Sequence, residues 1–338
     1  MGEPEKKVTA LGQVFSLVFA LLVSFTVALI ALSFPAGLYA IFGPGSGANA
    51  WTSAVQPYLL AGPFEIILPF AANVGLLFIL LTIIYLALFV HLLTRPRSPL
   101  SAISASFREG VGAFVTSPLL LSAISISFLI FTANLVDSLA PVSGPPTSLI
   151  SLTNAPLVEE LGFRMLLIGV PVALFSIGLP WKKILGVLWR PSTAYSGSSV
   201  GGPARMVALV MFVVSSIVFG AAHVLSGWSF DKIFEATYGG LVLGYLYIRY
   251  GFAFAVLAHW GIDYFGSVFA YFGQTAYGVP LTAQPEFFLQ SAVDIDMVEL
   301  MGLAAFLLVV YLGLKRIQAR SADSEVHKDA VEGSVFGI

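Results

Sequence analysis

Runs of about 20 predominantly apolar residues, each long enough to cross a bilayer as a helix, recur along almost the whole chain. Hydrocarbon offers no hydrogen-bond partners, so such a run must satisfy its own backbone groups, which a helix does. The runs lie at roughly 8–34, 65–93, 112–139, 155–180, 205–226, 231–250, 252–273 and 296–314. The sequence therefore predicts an all-α fold, a polytopic membrane helix bundle with about eight transmembrane helices.

Composition agrees with that class and excludes several others. Of the 338 residues, 58% are hydrophobic and only 10% are charged, against about 25% charged in a soluble domain. A net charge of −2 without a concentrated basic patch argues against a nucleic-acid partner. The absence of cysteine excludes disulfides, thiolate catalysis and cysteine-bound metals.

The distribution of Lys and Arg predicts the orientation of the bundle. Connections at roughly 35–64, 140–150, 227–230 and 274–295 contain neither residue, whereas each of the alternate connections contains at least one. By the positive-inside rule, the first set is external and both termini are cytoplasmic. Residues 1–320 are predicted to form one transmembrane bundle, and residues 321–338 a polar, disordered cytoplasmic tail.

One apolar run contains a cluster of charges: Glu159, Glu160 and Arg164 lie within six residues. Ionisable side chains at bilayer depth are costly and indicate function by default. On a helix, Glu160 and Arg164 are four apart and can pair, whereas Glu159 is rotated by about 100° and has no local counter-ion. A buried carboxylate of this kind suits a general base, so the rest of the chain is expected to supply its partners.

Two histidines lie in other apolar runs, and each has a neighbour four residues away. His259 and Asp263 stack on one helical face, and Phe219 can form a cavity wall beneath His223. A lone intramembrane histidine is as often a helix-to-helix hydrogen-bonding residue as a catalyst, and a glutamate–arginine pair is more often structural. The co-occurrence of acids and imidazoles on three runs nevertheless favours the activation of water.

The sixth run differs from the others because Asp231, Lys232 and Glu235 begin it. It is therefore predicted to be an interfacial or cavity-lining helix. Gly240 and Gly244 form a small-xxx-small face that lets a neighbouring helix approach closely. The charge pattern places His223 near the external end of its helix and His259 nearer the cytoplasm, so we expect a short, buried hairpin of the fifth and sixth runs to bring them together.

The order Glu-Glu-x-x-x-Arg, Phe-x-x-x-His and His-x-x-x-Asp resembles the CAAX-protease and bacteriocin-processing family of intramembrane endopeptidases, which includes the type II CAAX prenyl endopeptidase. The resemblance covers roughly residues 156–269. It implies that Glu159 accepts a proton from water, which His223 holds and polarises. It further implies that His259, with position 263, stabilises the oxyanion, and that Glu160, Arg164 and Phe219 support the site or touch substrate.

The resemblance leaves several alternatives open. Position 263 is typically Asn in the prenyl-protein enzymes, and an ionised Asp263 cannot donate a hydrogen bond, so it would orient His259 or be protonated itself. A mechanism without a cofactor is favoured, with zinc bound by His and carboxylate ligands as the alternative. The implied partners are a membrane-associated peptide, prenylated or not, and the bilayer of a prokaryotic cell. The alternative function is a proton-coupled transporter or a scaffold that uses the same buried groups.

Overall fold

The computed structural model of the protein describes residues 10–46, 50–94, 148–195 and 201–278. The predicted third and eighth spans, at 112–139 and 296–314, lie outside these residues, as does the predicted tail at 321–338. Within the described ranges the chain is mostly helical. The helical class predicted from the apolar runs is therefore confirmed.

The first two helices differ from their predicted bounds. Helix α1 spans Ala10–Phe42 and continues through Pro35, where the sequence predicted its end, because a proline costs the helix only one donor. Helix α2 spans Val74–Leu93 and not 65–93. It begins at Val74 because the side chain of Asn73 accepts a hydrogen bond from the Leu76 N–H at 3.0 Å and caps the helix.

Four short strands fill the interval between these helices, which corrects the expectation of a purely α fold and of an irregular loop at 35–64. They are β1 (Ala54–Val55), β2 (Tyr58–Ala61), β3 (Phe64–Ile67) and β4 (Ala72–Asn73). All pair antiparallel, β1 with β4 and β2 with β3. Gly62 has φ +61° and Pro63 follows it, which suits the tight turn between β2 and β3.

The helix that carries the charged cluster has three parts. Helix α3 spans Ser148–Glu159, a π-helical segment spans Glu160–Gly169, and helix α4 spans Val170–Leu174. The Val170 N–H donates to the carbonyl of Met165, five residues earlier, as a π-helix requires. The assumption of one regular helix at 155–180 is therefore wrong, and the widened turns fall on the charged residues. Such segments are rare and occur often at functional sites.

The remaining helices complete the described chain. Helix α5 (Trp181–Trp189) and a 3₁₀ turn (Pro191–Tyr195) were not predicted. Helices α6 (Gly201–Leu225), α7 (Lys232–Tyr250) and α8 (Phe252–Tyr277) match the predicted fifth, sixth and seventh runs to within four residues at each end.

Two helices of the described ranges, α2 and α6, are long and apolar enough to cross a membrane. Helix α8 makes a third if its halves, which meet at 46°, count as one span. The predicted number of about eight spans stays a prediction.

Helices α6 and α7 pack closely along the predicted glycine face. A Cβ atom on Gly240 would lie 2.9 Å from the Cα of Ser216, and one on Gly244 would lie 2.9 Å from the ring of Phe212. Only hydrogen fits at such distances, so the expected close approach of a neighbouring helix is confirmed.

An aromatic stack holds α8 against the first two helices. The ring of Trp260 stacks on Tyr85 of α2 at 4.9 Å and on Phe34 of α1 at 5.2 Å between centroids. The Tyr85 hydroxyl also donates to the carbonyl of Thr153 in α3 at 2.9 Å. The aromatic stack and this hydrogen bond together hold α8 beside the helix that carries the charged cluster. His259, the residue before Trp260, contacts that helix through Glu160.

Candidate active site

Glu160 is the buried centre of the charged cluster. Its Oε1 lies 2.9 Å from Nδ1 of His259, and its Oε2 lies 3.3 Å from Nε of Arg164. The pairing with Arg164 was predicted from the spacing; the pairing with His259, which joins two helices, was not. Because a carboxylate can only accept, Nδ1 of His259 carries a proton, and the orientation of the ring is fixed by Glu160.

The other nitrogen of His259 faces two more carboxylates. Its Nε2 lies 3.6 Å from Oε2 of Glu159 and 3.6 Å from Oδ2 of Asp263. Glu159 thus has no counter-ion on its own helix, as predicted, but an imidazole from α8 faces it. A separation of 3.6 Å exceeds a direct hydrogen bond, so both carboxylates face this nitrogen without bonding it directly.

The four acidic and basic side chains around His259 differ in burial. The side chains of Glu160 and Arg164 are 0% exposed, whereas those of Glu159 and Asp263 are 18% and 26% exposed. Glu159 and Asp263 therefore reach the open side of the cluster, and Glu160 and Arg164 form its closed side. Only the first pair can meet a substrate without a rearrangement.

Arg164 has few polar partners for a buried guanidinium. Apart from the 3.3 Å contact with Glu160, its three nitrogens make no hydrogen bond to any residue that the structure describes. Its guanidinium carbon instead lies 4.3 Å from the centroid of the Phe219 ring. A cation over an aromatic face is stabilised, more so when it is removed from water, so Phe219 helps to hold this charge.

The ring of Phe219 also contacts both histidines. Its centroid lies 4.7 Å from that of His223 and 5.8 Å from that of His259. The two imidazoles therefore lie beside one aromatic ring. Helices α6 and α7 form a hairpin, but the depths of the two histidines in a membrane, and a hairpin tip buried below the outer surface, stay predictions.

His223 is bound differently from His259. Its Nδ1 lies 2.9 Å from the carbonyl oxygen of Phe219 on the same helix. A carbonyl only accepts, so Nδ1 carries the proton, and in the neutral ring Nε2 keeps a lone pair. No carboxylate forms an ion pair with His223 in the part of the chain that the structure describes.

A second charged pair lies near the pocket, at the start of α7. Lys232 Nζ is 2.6 Å from Oε1 of Glu235 and 5.0 Å from the centroid of the Trp228 ring. The charges of both residues act on His223 and on Asp263. The assignment of the sixth run as an interfacial or cavity-lining helix stays a prediction.

Several neighbours of the site were missed by sequence reasoning. The Ser215 hydroxyl donates to the carbonyl of Phe163 at 2.6 Å and joins α6 to the π-helical segment. Phe163 packs edge-on against Phe219 at 5.0 Å, and Leu60 of β2 joins that apolar cluster. A buried serine within an apolar run was a usable signal for the first contact. The contact of Leu60 depends on the hairpin, which was not predicted.

The zinc alternative has no matching ligand set in this arrangement. Among residues 10–46, 50–94, 148–195 and 201–278, no three His, Asp or Glu side chains are placed so that they could hold a metal ion. Three protein ligands are the usual minimum for catalytic zinc. In this arrangement Glu160 contacts Nδ1 of His259 with one oxygen and Arg164 with the other.

Comparison with known proteins gives one match. Residues 141–265 match a family model described as type II CAAX prenyl endopeptidase Rce1-like. This range contains all seven residues singled out from the sequence, from Glu159 to Asp263, and the resemblance identified from the motifs is confirmed. No curated protein and no solved structure matches the chain. The family match and the apolar helices together indicate a membrane protein.

Proposed function

We propose that this chain, similar over residues 141–265 to the type II CAAX prenyl endopeptidases, is an intramembrane endopeptidase that cleaves peptide bonds with an activated water. Its substrates are membrane-associated peptides, with C-terminal, prenylated, CAAX-like tails as the first class to test. The reaction needs no cofactor in this proposal. Glu159, His223, His259 and Asp263 are the catalytic residues, supported by Glu160, Arg164 and Phe219.

The unequal surroundings of the two adjacent glutamates carry the proposal. Glu160 is fully buried between Arg164 and His259. Glu159 is partly exposed, and its Oε2 lies 3.6 Å from Nε2 of His259, too far for a direct hydrogen bond. Because Glu160 is held at 2.9 Å by His259 and at 3.3 Å by Arg164, Glu159 is the acid that can bind a water and act on it. Neither a scaffold nor an ordinary ion pair requires this difference.

The reaction follows from the position of each group. Glu159 takes a proton from water while the water oxygen bonds to the carbonyl carbon of the substrate, and His223 Nε2 accepts a hydrogen bond from the O–H that remains. The carbonyl oxygen becomes negatively charged and is stabilised by doubly protonated His259, which donates from Nε2 to this oxygen and from Nδ1 to Glu160. Glu159 then returns its proton to the leaving amine as the C–N bond breaks. The carboxylate is thereby regenerated, and the peptide is divided with the addition of one water.

The pocket is proposed to lie within the membrane of a prokaryotic cell. In this arrangement residues 1–320 form a single multi-pass bundle of about eight helices, with both termini in the cytoplasm. The polar residues of the site, with Lys232 and Glu235 at the start of α7, would admit water to a depth where the bilayer excludes it.

The test is hydrolysis of a quenched fluorescent peptide by the purified protein, wild type against Glu159→Gln. The amide keeps the shape of the side chain but cannot take the proton, so we expect turnover to fall by about 10²- to 10⁴-fold while the protein still folds. Glu235→Gln, the loss of another partly buried glutamate near the pocket, is the matched control and should retain most activity.

Two outcomes would overturn the proposal. Full activity of Glu159→Gln would remove the base, and absence of cleavage by the wild type, with or without a prenyl group on the peptide, would favour the transport or scaffold alternative. Wild-type activity is expected to survive incubation with a chelator. Loss of activity on chelation and its return with zinc would reinstate a metal mechanism.

A further inference from the structure

We propose that the hairpin of β2 and β3, residues Tyr58–Ile67, contributes to the active site and that the Tyr58 hydroxyl donates a hydrogen bond to the carbonyl oxygen of the scissile peptide bond. The inference rests on the proposed function, because it adds a catalytic residue to that reaction. It concerns a region outside the family match at 141–265.

The register of the hairpin shows which of its edges faces the site. The Leu68 N–H donates to the carbonyl of Pro57 at 2.9 Å, and in the same register Tyr58 lies opposite Ile67 and Leu60 opposite Glu65. Hydrogen-bonded and non-hydrogen-bonded pairs alternate along an antiparallel ladder. The backbone N–H and C=O groups of Tyr58 and Leu60 therefore point away from β3, along the outer edge of β2.

The outer edge of β2 lies against Gly162, in the helix that carries Glu159 and Glu160. A Cβ atom on Gly162 would lie 2.7 Å from the carbonyl oxygen of Leu60 and 2.8 Å from its Cβ. Real Cβ atoms do not approach so closely, so only glycine lets β2 lie on this turn. Gly162 is three residues after Glu159, and the hairpin is thus fixed within one helical turn of the proposed base.

Strand geometry then directs Tyr58 toward the pocket. Side chains two residues apart point to the same face of a strand. Leu60 packs into the apolar cluster of Phe163 and Phe219. Tyr58 lies on the same face of β2 and therefore faces the helices that carry these two rings. Leu59, on the opposite face, is 44% exposed. The Tyr58 hydroxyl lies near the side chain of Asn154 in α3, and the charges of Glu159 and Asp263 act on it.

The chemistry of the pocket gives this hydroxyl a role. The exposed acids of the site, Glu159 and Asp263, accept hydrogen bonds when ionised and cannot stabilise an oxyanion. Burial, together with the negative charge of Glu159, raises the pKa of Tyr58 above its ordinary value. The Tyr58 hydroxyl therefore stays protonated at neutral pH. When the Asn154 amide donates to the Tyr58 oxygen, the hydroxyl proton remains available to donate to substrate.

The experiment compares Tyr58→Phe with Leu59→Ala on the quenched fluorescent peptide, the second variant being the control on the opposite face of the same strand. Loss of one oxyanion donor is expected to lower kcat by about 10²- to 10³-fold, with KM within about twofold of the wild type. Leu59→Ala should leave both constants near those of the wild type. An unchanged kcat in Tyr58→Phe, or a loss confined to KM, would overturn the inference.

A double-mutant cycle of Tyr58→Phe with Gly162→Ala tests whether the hairpin acts by positioning the Tyr58 hydroxyl or by a general effect on the fold. The added Cβ must displace Leu60, so Gly162→Ala alone should lower kcat as Tyr58→Phe does. If both act through the same hydroxyl, the double variant loses little more than Gly162→Ala alone; losses that multiply would show two independent effects and contradict the inference.

The proposed function is tested separately in the same assay. Hydrolysis by the wild type and its loss in Glu159→Gln do not depend on Tyr58. A normal kcat in Tyr58→Phe together with an inactive Glu159→Gln would reject the hairpin and keep the protease.

Discussion

The two histidines of the pocket have opposite environments although one phenylalanine ring contacts both. His259 is enclosed by carboxylates: Glu160 binds one ring nitrogen at 2.9 Å, and Glu159 and Asp263 face the other at 3.6 Å. Among the described residues, the ring of His223 forms a hydrogen bond with the carbonyl of Phe219, on its own helix. The first imidazole joins two helices through charge, whereas the hydrogen bond of the second stays within one helix.

Because of this difference, we expect the two histidines to contribute unequally to the stability of the fold and to catalysis. The His259 ring, with carboxylates near both nitrogens, stabilises the charges of those carboxylates. Its loss therefore leaves buried carboxylates unpaired. A ring with a backbone partner on Nδ1 presents a free Nε2 to solvent and can bind or polarise a water. We therefore expect His259 to matter for both folding and turnover, and His223 for turnover almost alone.

The largest effect is expected from His259→Ala. Removing one partner of a buried ion pair costs about 3–5 kcal/mol, since the remaining charge stays buried, and here Glu160 is that charge. We expect a large fall in the unfolding temperature in detergent and no measurable peptide cleavage. His91→Ala, an exposed histidine at the end of α2, is the control. A His259→Ala protein that unfolds like the wild type would show that Glu160 does not depend on this imidazole.

His223→Ala should separate the two properties. The lost hydrogen bond is neutral and lies within one helix, so it contributes only about 0.5–1.5 kcal/mol, and the unfolding temperature should stay close to that of the wild type. Loss of the group that positions water should nevertheless lower kcat by about 10²- to 10⁴-fold. If His223→Ala destabilises the protein as much as His259→Ala does, the contrast between the two histidines fails.

The sequence predicts helices α6 to α8 and one contact within the candidate site well, because both depend on local patterns. Apolar runs gave α6 to α8 to within four residues, and spacings of four gave the contact of Glu160 with Arg164. The bond between Glu160 and His259 joins residues 99 apart in the chain, and no local period encodes it.

Two features escaped prediction for different physical reasons. The π-helical segment Glu160–Gly169 has no signature in apolar spacing, since its widened turns depend on the packing of Phe163 and Ser215 around it. The hairpin, Tyr58–Ile67, crosses the predicted boundary between an external connection at 35–64 and a span that begins at 65, and neither assignment indicates strands. Gly62-Pro63, placed between residues of high β propensity, was the signal that could have shown it.

The smallest effect is expected from Asp263→Asn, which asks how many of the acids around His259 are needed. Glu160 alone orients the ring, at 2.9 Å and fully buried, whereas Asp263 is 3.6 Å away and 26% exposed. The amide removes one carboxylate and adds an N–H donor to the pocket, so we expect kcat/KM to stay within about tenfold of the wild type, or roughly 1.4 kcal/mol in the barrier. Glu160→Gln is the matched variant and should lose more activity and more stability, because its buried oxygens bond both His259 and Arg164. If Asp263→Asn is the more damaged of the two, the partly exposed acid controls His259, and the buried carboxylate serves only to anchor Arg164.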